Sequence, residues 1–455
     1  MTETKASLAE RLNRLQALRS SPEQGPLSAA EPLRGDWPEG CQVFPASYAQ
    51  SRLWFLHQLQ PELTAYHLPL LWNLKGELNL NALSQAVSAL IERHPTLRSS
   101  FQLHGSEVLQ LLHPPAPVHL EVEPLGDRDL GTVIQAWQQQ EASTPFDLTS
   151  GLLLRARLLQ VAADENVLLI NHHHIASDGW SRSILSRDLT ALYNAHRKSQ
   201  PPQLQPLKVH YQDYAAWQRQ RLSGDRLQRL HDYWIHELTG LEPLEVPTDH
   251  PRPATPSYRG ESISFQIEPA LLVPLEELCR SEGATLQMGL LALLALLLHR
   301  YSRQDDFAIG IPIWGRNHPD LEPLIGFFVN TLPIRSRFSA EISFRELLNQ
   351  VKTTSIAAYD HQALPFEQIV EALNLERDTS RNPLVQVMLQ LIELQPPSLS
   401  NLCQATAKTG PALCIINCYL QLVSRQNCSF SLSPNPFRLI AASPAAALLG
   451  LHAIL

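Results

Sequence analysis

The sequence predicts an α/β protein made of two successive halves of similar size, and three observations carry that prediction. From Cys41 onward, short apolar runs of strand length alternate with longer stretches of helical periodicity. The same alternation recurs after residue 260, with the proline-bearing segments 201–206 and 248–256 as joints. No short repeat is visible, so the duplication is one of architecture.

Taken in chain order, residues 6–19 put Leu8, Leu12, Leu15 and Leu18 at helical spacing, and residues 20–40 bring the prolines, glycines and serines of a linker. Residues 1–40 therefore read as an N-terminal helix and linker, the helix being either a frayed end or a docking segment for a neighbouring protein. Residues 41–200 form the first half. Within it, 68–74, 152–159 and 166–171 are expected strands and 180–195 a helix; 81–94 is an amphipathic helix with Leu83, Val87, Leu90 and Ile91 inward. Residues 201–390 form the second half, with strands at 262–266 and 307–313 and helices at 274–281, 286–301 and 344–359. Residues 391–455 are different. Their only charged residues among Asp, Glu, Lys and Arg are Glu393, Lys408, Arg425 and Arg438, against 18% for the whole chain, and cysteine, serine and proline replace the earlier pattern.

Composition removes several function classes. A net charge of -8 without a Lys/Arg run argues against nucleic-acid binding. The cysteines at 41, 279, 403, 414, 418 and 428 form no spaced framework, which points to a reducing cytoplasm. The polar start Met-Thr-Glu-Thr-Lys-Ala lacks the apolar core of a signal peptide. The longest apolar run, 288–298, is too short to span a bilayer and reads as a buried helix. A soluble protein without membrane association is expected.

The chemistry concentrates in residues 171–181, NHHHIASDGWS. An apolar strand delivers three histidines to its end, and alternation along it puts His172 and His174 on one side and His173 on the other. Gly179 is read as permitting a turn that a Cβ obstructs, and Asp178 stands just before the helix that Trp180 opens. In one reading Asp178 is an N-cap, Gly179 a turn residue, and the histidines merely line a strand end. In the other, His174 is a base or acceptor for an incoming nucleophile, since imidazole titrates closest to neutral pH. Asp178 then locks the loop by pairing with a buried arginine. A metal site is disfavoured, because consecutive strand histidines cannot all face one ion and no further ligand pair is evident.

Seven segments in order carry a resemblance: 47–56 (SYAQSRLWFL), 93–101 (RHPTLRSSF), 173–179 (HHIASDG), 211–217 (YQDYAAW), 325–335 (IGFFVNTLPIR), 361–367 (HQALPFE) and 377–384 (RDTSRNPL). Together they resemble the condensation domains of nonribosomal peptide synthetases, members of the chloramphenicol-acetyltransferase-like acyltransferases. The resemblance implies two acetyltransferase-like α/β lobes in a V shape, with the active site in the tunnel between them. It further implies donor and acceptor peptidyl carrier proteins at opposite mouths. Their phosphopantetheine arms bring in an acyl or peptidyl thioester and an aminoacyl thioester, and the chain itself binds no cofactor. His174 is then the acting residue beside His173, with Asp178 and Gly179 shaping the loop. Arg52, Arg98, Trp180, Ser181, Arg316, Asn330 and Arg335 are the accompanying tunnel or structural candidates. Arg316 is preferred over Arg335 as the partner of Asp178, because it follows the strand at 307–313. Asn330, placed in a glycine-led strand, either lines the tunnel or satisfies backbone groups.

Pro95 stands where this family usually has glutamate, and His172 where it commonly has methionine. After Gln390 the family continues through further strands and a closing helix that the sequence does not display. A frameshift or truncation is the expectation, leaving the second lobe's core incomplete at a cost of roughly several kcal/mol; soluble, cooperatively unfolding protein of this length counts against it. Three functions are carried forward. The first is a condensation-type acyltransferase, standing alone or at the N-terminus of a split assembly line, with the N-terminal helix as the candidate dock for an upstream synthetase. The second is a non-catalytic carrier-docking remnant. The third is a related epimerase or free-acceptor acyltransferase.

Overall fold

In the computed structural model, residues 27–253, 267–339, 341–375, 380–391, 414–417 and 438–440 are described. The first half runs β1 (Gln42–Pro45), α1 (Tyr48–Leu59), β2 (His67–Lys75), α2 (Leu80–Arg93), β3 (Ser99–His104), β4 (Glu107–Leu112), β5 (Glu121–Pro124), α3 (Leu130–Ser143), β6 (Leu154–Ala162), β7 (Glu165–His173) and α4 (Ser181–Lys198). The second continues with α5 (Tyr211–Arg221), α6 (Gly224–Leu238), α7 (Pro269–Ser281), α8 (Leu286–Ser302), β8 (Asp306–Ile313), β9 (Asn330–Arg337), α9 (Phe344–Asp360) and α10 (Phe366–Ala372). Short strands β10 (Gln390–Leu391), β11 (Cys414–Asn417) and β12 (Arg438–Ile440) follow.

A four-stranded sheet of order β2-β7-β6-β5 organises the first half, with β7 antiparallel to both neighbours and β5 parallel to β6. Helix α3 packs on one face of β7 and helices α2 and α4 on the other, so both faces are covered, which explains its near-continuous apolar run. Val167 and Leu169 pack with Val133 and Trp137 of α3, while Leu168 and Ile170 join α2 and α4 in the main core. A small antiparallel sheet, β1-β4-β3, lies beside it. In the second half β8 pairs antiparallel with β9, and the segment through Val387 runs along the other edge of β8. Helices α6 to α10 cover these strands in a core that includes Trp234, Leu291, Phe307, Leu348 and Val387. Ile325 and Phe327, although in the second half of the chain, are buried in the core of the first. That insertion joins the halves and positions the site.

Several boundaries differ from the sequence reading. Helix α7 starts at Pro269, not at residue 274, because Pro269 suits a first helical position and Glu268 accepts the N–H groups of Leu271 and Leu272. Pro274 sits inside the helix. Helix α4 runs on to Lys198 through a basic last turn and stops where Ser199 adopts a left-handed φ of 52°. The glycine-led strand around Asn330 begins only at Asn330, because the backbone at residues 327 and 328 is bonded elsewhere. The low-charge tail, read as lacking strand pattern, supplies β11, antiparallel to β10, and β12, parallel to β11. Cys-Ile-Ile-Asn and Arg-Leu-Ile are short runs with two and one β-branched isoleucines, easily lost in that composition. The leucine-spaced segment 6–19 and the strand expected at 262–266 lie outside the described residues.

Candidate active site

Strand β7 ends at His173, and His174 opens a single 3-10 turn of three residues. The strand alternation therefore stops one residue short of His174, and the turn sets its direction. The His174 N–H donates to the Tyr66 carbonyl at 2.8 Å, and its own carbonyl accepts from Ser177 N–H at 3.1 Å. The ring is half-buried and meets Phe327 edge-on at 4.7 Å between centroids. Its Nδ1 is buried without a partner. Burial lowers the imidazole below its ordinary value of 6.5, against the pull of Asp178, so the ring is neutral at neutral pH and able to accept a proton.

The two preceding histidines sit differently. His173 Nδ1 accepts the Ile175 N–H at 3.1 Å, and its ring lies 6.0 Å from Phe146 and 6.1 Å from His67. Burial, reinforced by His67, pushes it well below the usual imidazole range. His172 is fully buried, and desolvation, then His174, pushes it down to about 3.

Asp178 joins three parts of the chain. Its Oδ1 accepts the backbone N–H of Ser181 at 3.0 Å and the Ser181 hydroxyl at 2.8 Å, at the start of α4. Its Oδ2 accepts the Phe328 N–H at 3.1 Å. Arg316 completes a two-pronged pair, Nη1 to Oδ2 at 2.7 Å and Nη2 to Oδ1 at 3.0 Å, with side-chain exposures of 2% and 0%. The arginine-lock reading of Asp178 thus holds; the N-cap position of α4 is Trp180, and Asp178 instead takes the N–H of the first helical residue, Ser181. Arg316 also donates to Ser181 Oγ and the Leu324 carbonyl, and its guanidinium lies 4.2 Å from the centre of the Phe328 ring. Arg335 does not reach Asp178; it donates to both Asp306 oxygens and to the carbonyls of Glu237 and Thr239, bracing β8 against α6.

Gly179 is constrained by space and not by an unusual turn. Its φ lies outside the left-handed region, but a Cβ there meets the Trp314 ring at 3.0 Å. Trp180 donates from Nε1 to the Glu322 carbonyl at 3.1 Å. Arg52 crosses between the halves to Glu367 at 2.9 Å. Arg98 donates to the carbonyls of His113 and Glu92, tying α2 to the end of β4 and standing apart from the histidine loop. The Asn330 amide donates to the carbonyls of Gln362 and Leu364 and accepts from Phe366 N–H, while the residue also lines a cavity shared with Ala49, Trp217, Gly315, Phe328 and Glu367. The backbone-satisfying reading of Asn330 thus describes it, and the cavity it lines does not include His174. Among the described residues no group of three or more His, Cys, Asp or Glu side chains is placed to hold a metal, and no single helix is long and apolar enough to cross a membrane.

A family model for condensation domains matches residues 41–410. The chain belongs to the condensation-domain family. The condensation domain is 43% identical over 355 residues to one of the linear gramicidin synthase proteins of Brevibacillus parabrevis, covering 77% of the chain and 5% of that protein. It is 43% identical over 346 residues to malpinin synthetase of Mortierella alpina, covering 76% and 4%. It thus spans only a small fraction of the length of these relatives. Among solved structures, the X-domain from teicoplanin biosynthesis superposes with a TM-score of 0.73 at 32% identity, covering 81% of this chain and 80% of that one. A holo four-domain nonribosomal peptide synthetase bound to AMP and glycine gives 0.70 at 25% identity, covering 80% and 27%. The mixed α/β, acetyltransferase-like fold is therefore that of the family. The match extends past residue 391 into the low-charge tail.

Four buried groups of this condensation domain escaped the sequence reading. Asp188 takes Arg93 at 2.9 Å, His94 at 2.9 Å and Arg187 at 2.8 Å, and Glu141 takes Arg155 and Asn171. The available signal was an acid inside an apolar stripe: Asp188 among Ile184, Leu185, Leu189 and Leu192, and Glu141 after Val133 and Trp137. Ser47 and Gln50 form a capping box at the start of α1, legible as Ser-x-x-Gln. Tyr211 stands in a motif whose aromatics read as buried anchors, and it is buried, but the bond its phenol makes gave no signal.

Proposed function

We propose that this domain forms an amide bond between a carrier-bound acyl or peptidyl thioester and a carrier-bound aminoacyl acceptor. The observation that carries the proposal is the His174 imidazole: neutral, half-buried, and held where the two halves meet. The acceptor amine attacks the donor carbonyl carbon, the carbon–nitrogen bond forms, and the carbon–sulfur bond breaks. His174 orients the amine and takes its proton, and the departing thiolate recovers a proton as the thiol. Asp178 and Arg316 hold the loop and do not relay protons, since the carboxylate is saturated by Ser181, Phe328 and Arg316. Peptidyl carrier proteins present both substrates on phosphopantetheine arms, and the work takes place in the cytoplasm. The peptide-synthetase names of the relatives support this reading.

The test compares product formation from two loaded carrier proteins with the parent chain and with His174→Ala. Loss of product in the variant alone supports the proposal. Equal rates sink the catalytic role of His174, and no product from either chain points to a non-catalytic carrier-docking module.

A further inference from the structure

Tyr211 and Ser47 take no part in the chemistry above, yet they are buried beside it. The Tyr211 hydroxyl donates to the Phe327 carbonyl at 2.6 Å, and Ser47 Oγ lies 2.8 Å from the same phenol oxygen. With the phenol proton committed to the carbonyl, the serine is the donor of that second bond. On the other side of the same peptide unit, the Phe328 N–H donates to Asp178 at 3.1 Å. The peptide between Phe327 and Phe328 is thus gripped at both its oxygen and its nitrogen. It carries the Phe327 ring that meets the His174 imidazole edge-on at 4.7 Å. Gly326 makes the approach possible, since a Cβ there falls 2.1 Å from the Tyr211 ring.

We infer that Tyr211 is a positioning residue for His174, fixing the 327–328 peptide so that the Phe327 ring orients the imidazole and shields it from water. This role rests on His174 being the acting base. Desolvation, then the neighbouring Tyr214, raises the phenol well above its ordinary range, so it remains a donor at every working pH. The titratable and charged groups about His174 are His172 and His173 of β7, Asp178 of the following turn, Arg52 of α1 and Tyr66 just before β2, whose ring lies 6.4 Å away between centroids.

Tyr211→Phe removes the one hydroxyl and keeps the ring. In the full chain with loaded carriers, kcat is expected to fall about tenfold or more while KM stays within about twofold, because geometry and not binding is lost. The His174 titration midpoint, read by NMR of 13C-labelled histidine and assigned with His174→Ala, is expected to move up toward the ordinary 6.5 as water reaches the ring. Ser47→Ala, which leaves the phenol–carbonyl bond in place, shifts both readouts less and in the same direction. Phe327→Leu reproduces the titration shift independently of the phenol, so the positioning role remains testable if Tyr211→Phe does not fold. An unmoved midpoint with unchanged kcat in folded Tyr211→Phe, or an unmoved midpoint in Phe327→Leu, overturns that role. Because the titration needs no turnover, it separates that failure from failure of the base assignment, which full activity in His174→Ala marks.

Discussion

Removing Arg316 tests the joint between the halves. The guanidinium and the Asp178 carboxylate are bonded at 2.7 and 3.0 Å with 2% and 0% of their side chains exposed, so neither charge has water as an alternative partner. Arg316→Met keeps much of the volume and leaves the carboxylate with only Ser181 and the Phe328 N–H. Breaking a buried pair by removing one partner costs about 3–5 kcal/mol. Over a half of some 200 residues, that cost corresponds to a fall in melting temperature of about 6–20 °C. Asp178→Asn leaves the cation stranded and is expected to cost a similar amount. The double variant Asp178→Asn/Arg316→Met should be less destabilised than the sum by about 2–3 kcal/mol, because neither charge is then left alone. Urea unfolding of the full chain reads this directly, with Trp180 and Trp314, 6.1 Å apart beside the pair, as fluorescence reporters. Arg335→Met is the control, since its partner Asp306 is 38% exposed and can turn to water. Single substitutions costing under about 1 kcal/mol, or strict additivity in the double variant, refute the view that this pair locks the loop.

Three further predictions follow from the same geometry. His174→Gln should lower condensation about 10²–10⁴-fold without a matching loss of stability; because burial lowers the imidazole below 6.5, the parent's rate should be flat at neutral pH and fall on acidification with a midpoint under 6.5, and a midpoint above that value argues against His174 as base. Stability should decline on acidification: His172 titrates at about 3 folded and near 6.5 unfolded, so the unfolded chain binds the extra proton between those values, and stability complete above 6.5 is lost toward 3 by about 1.4 kcal/mol per pH unit for each such histidine. A urea midpoint that does not change between pH 7 and 5 refutes this, and His172→Gln should flatten the slope. Gly315→Ala should be among the most damaging single changes, at about 3 kcal/mol or more, since the residue sits at a φ of 63° and a Cβ would lie 2.0 Å from the Phe328 carbonyl oxygen; a melting temperature unchanged from the parent would show that the backbone there yields.

What the sequence disclosed followed how local each feature is. Strand β7 was legible because a central strand covered on both faces needs a continuous apolar run. Helices α2 and α9 were legible through their periodicity, α8 through its continuous apolar run and α4 through its start, although its basic last turn was cut short. The preference for Arg316 over Arg335 rested on the fold that the resemblance implies, which carries the end of β8 toward the cleft; the sequence by itself did not decide it, and the bond to Asp178 does. By contrast, the bonds of Tyr211 to Phe327 and of Arg52 to Glu367 span separations of 116 and 315 residues. No window of sequence contains both partners. Gly179 shows a third kind of limit: its residue type pointed to a turn, and only the Trp314 ring, supplied by the other half, reveals that the constraint is space.

Three consecutive histidines illustrate how the fold divides one residue type among separate tasks. His172 and His173 stand on opposite faces of a central strand, and burial keeps both uncharged within packed surroundings. One residue later the chain leaves the strand, and the same kind of side chain is only half-buried, at the edge of Phe327. The turn that makes this change is held from below by Asp178, whose charge is absorbed by Arg316, so the acid steadies the loop without strongly raising the basicity of His174. Buried charge and neutral base are thereby kept in neighbouring but distinct environments. The lock is assembled from residues 178, 181, 316 and 328, and residues 316 and 328 come from the second half. The loop therefore depends on the second half being folded against the first, and a first half on its own would present the histidine motif without the Arg316 and Phe328 bonds that hold Asp178.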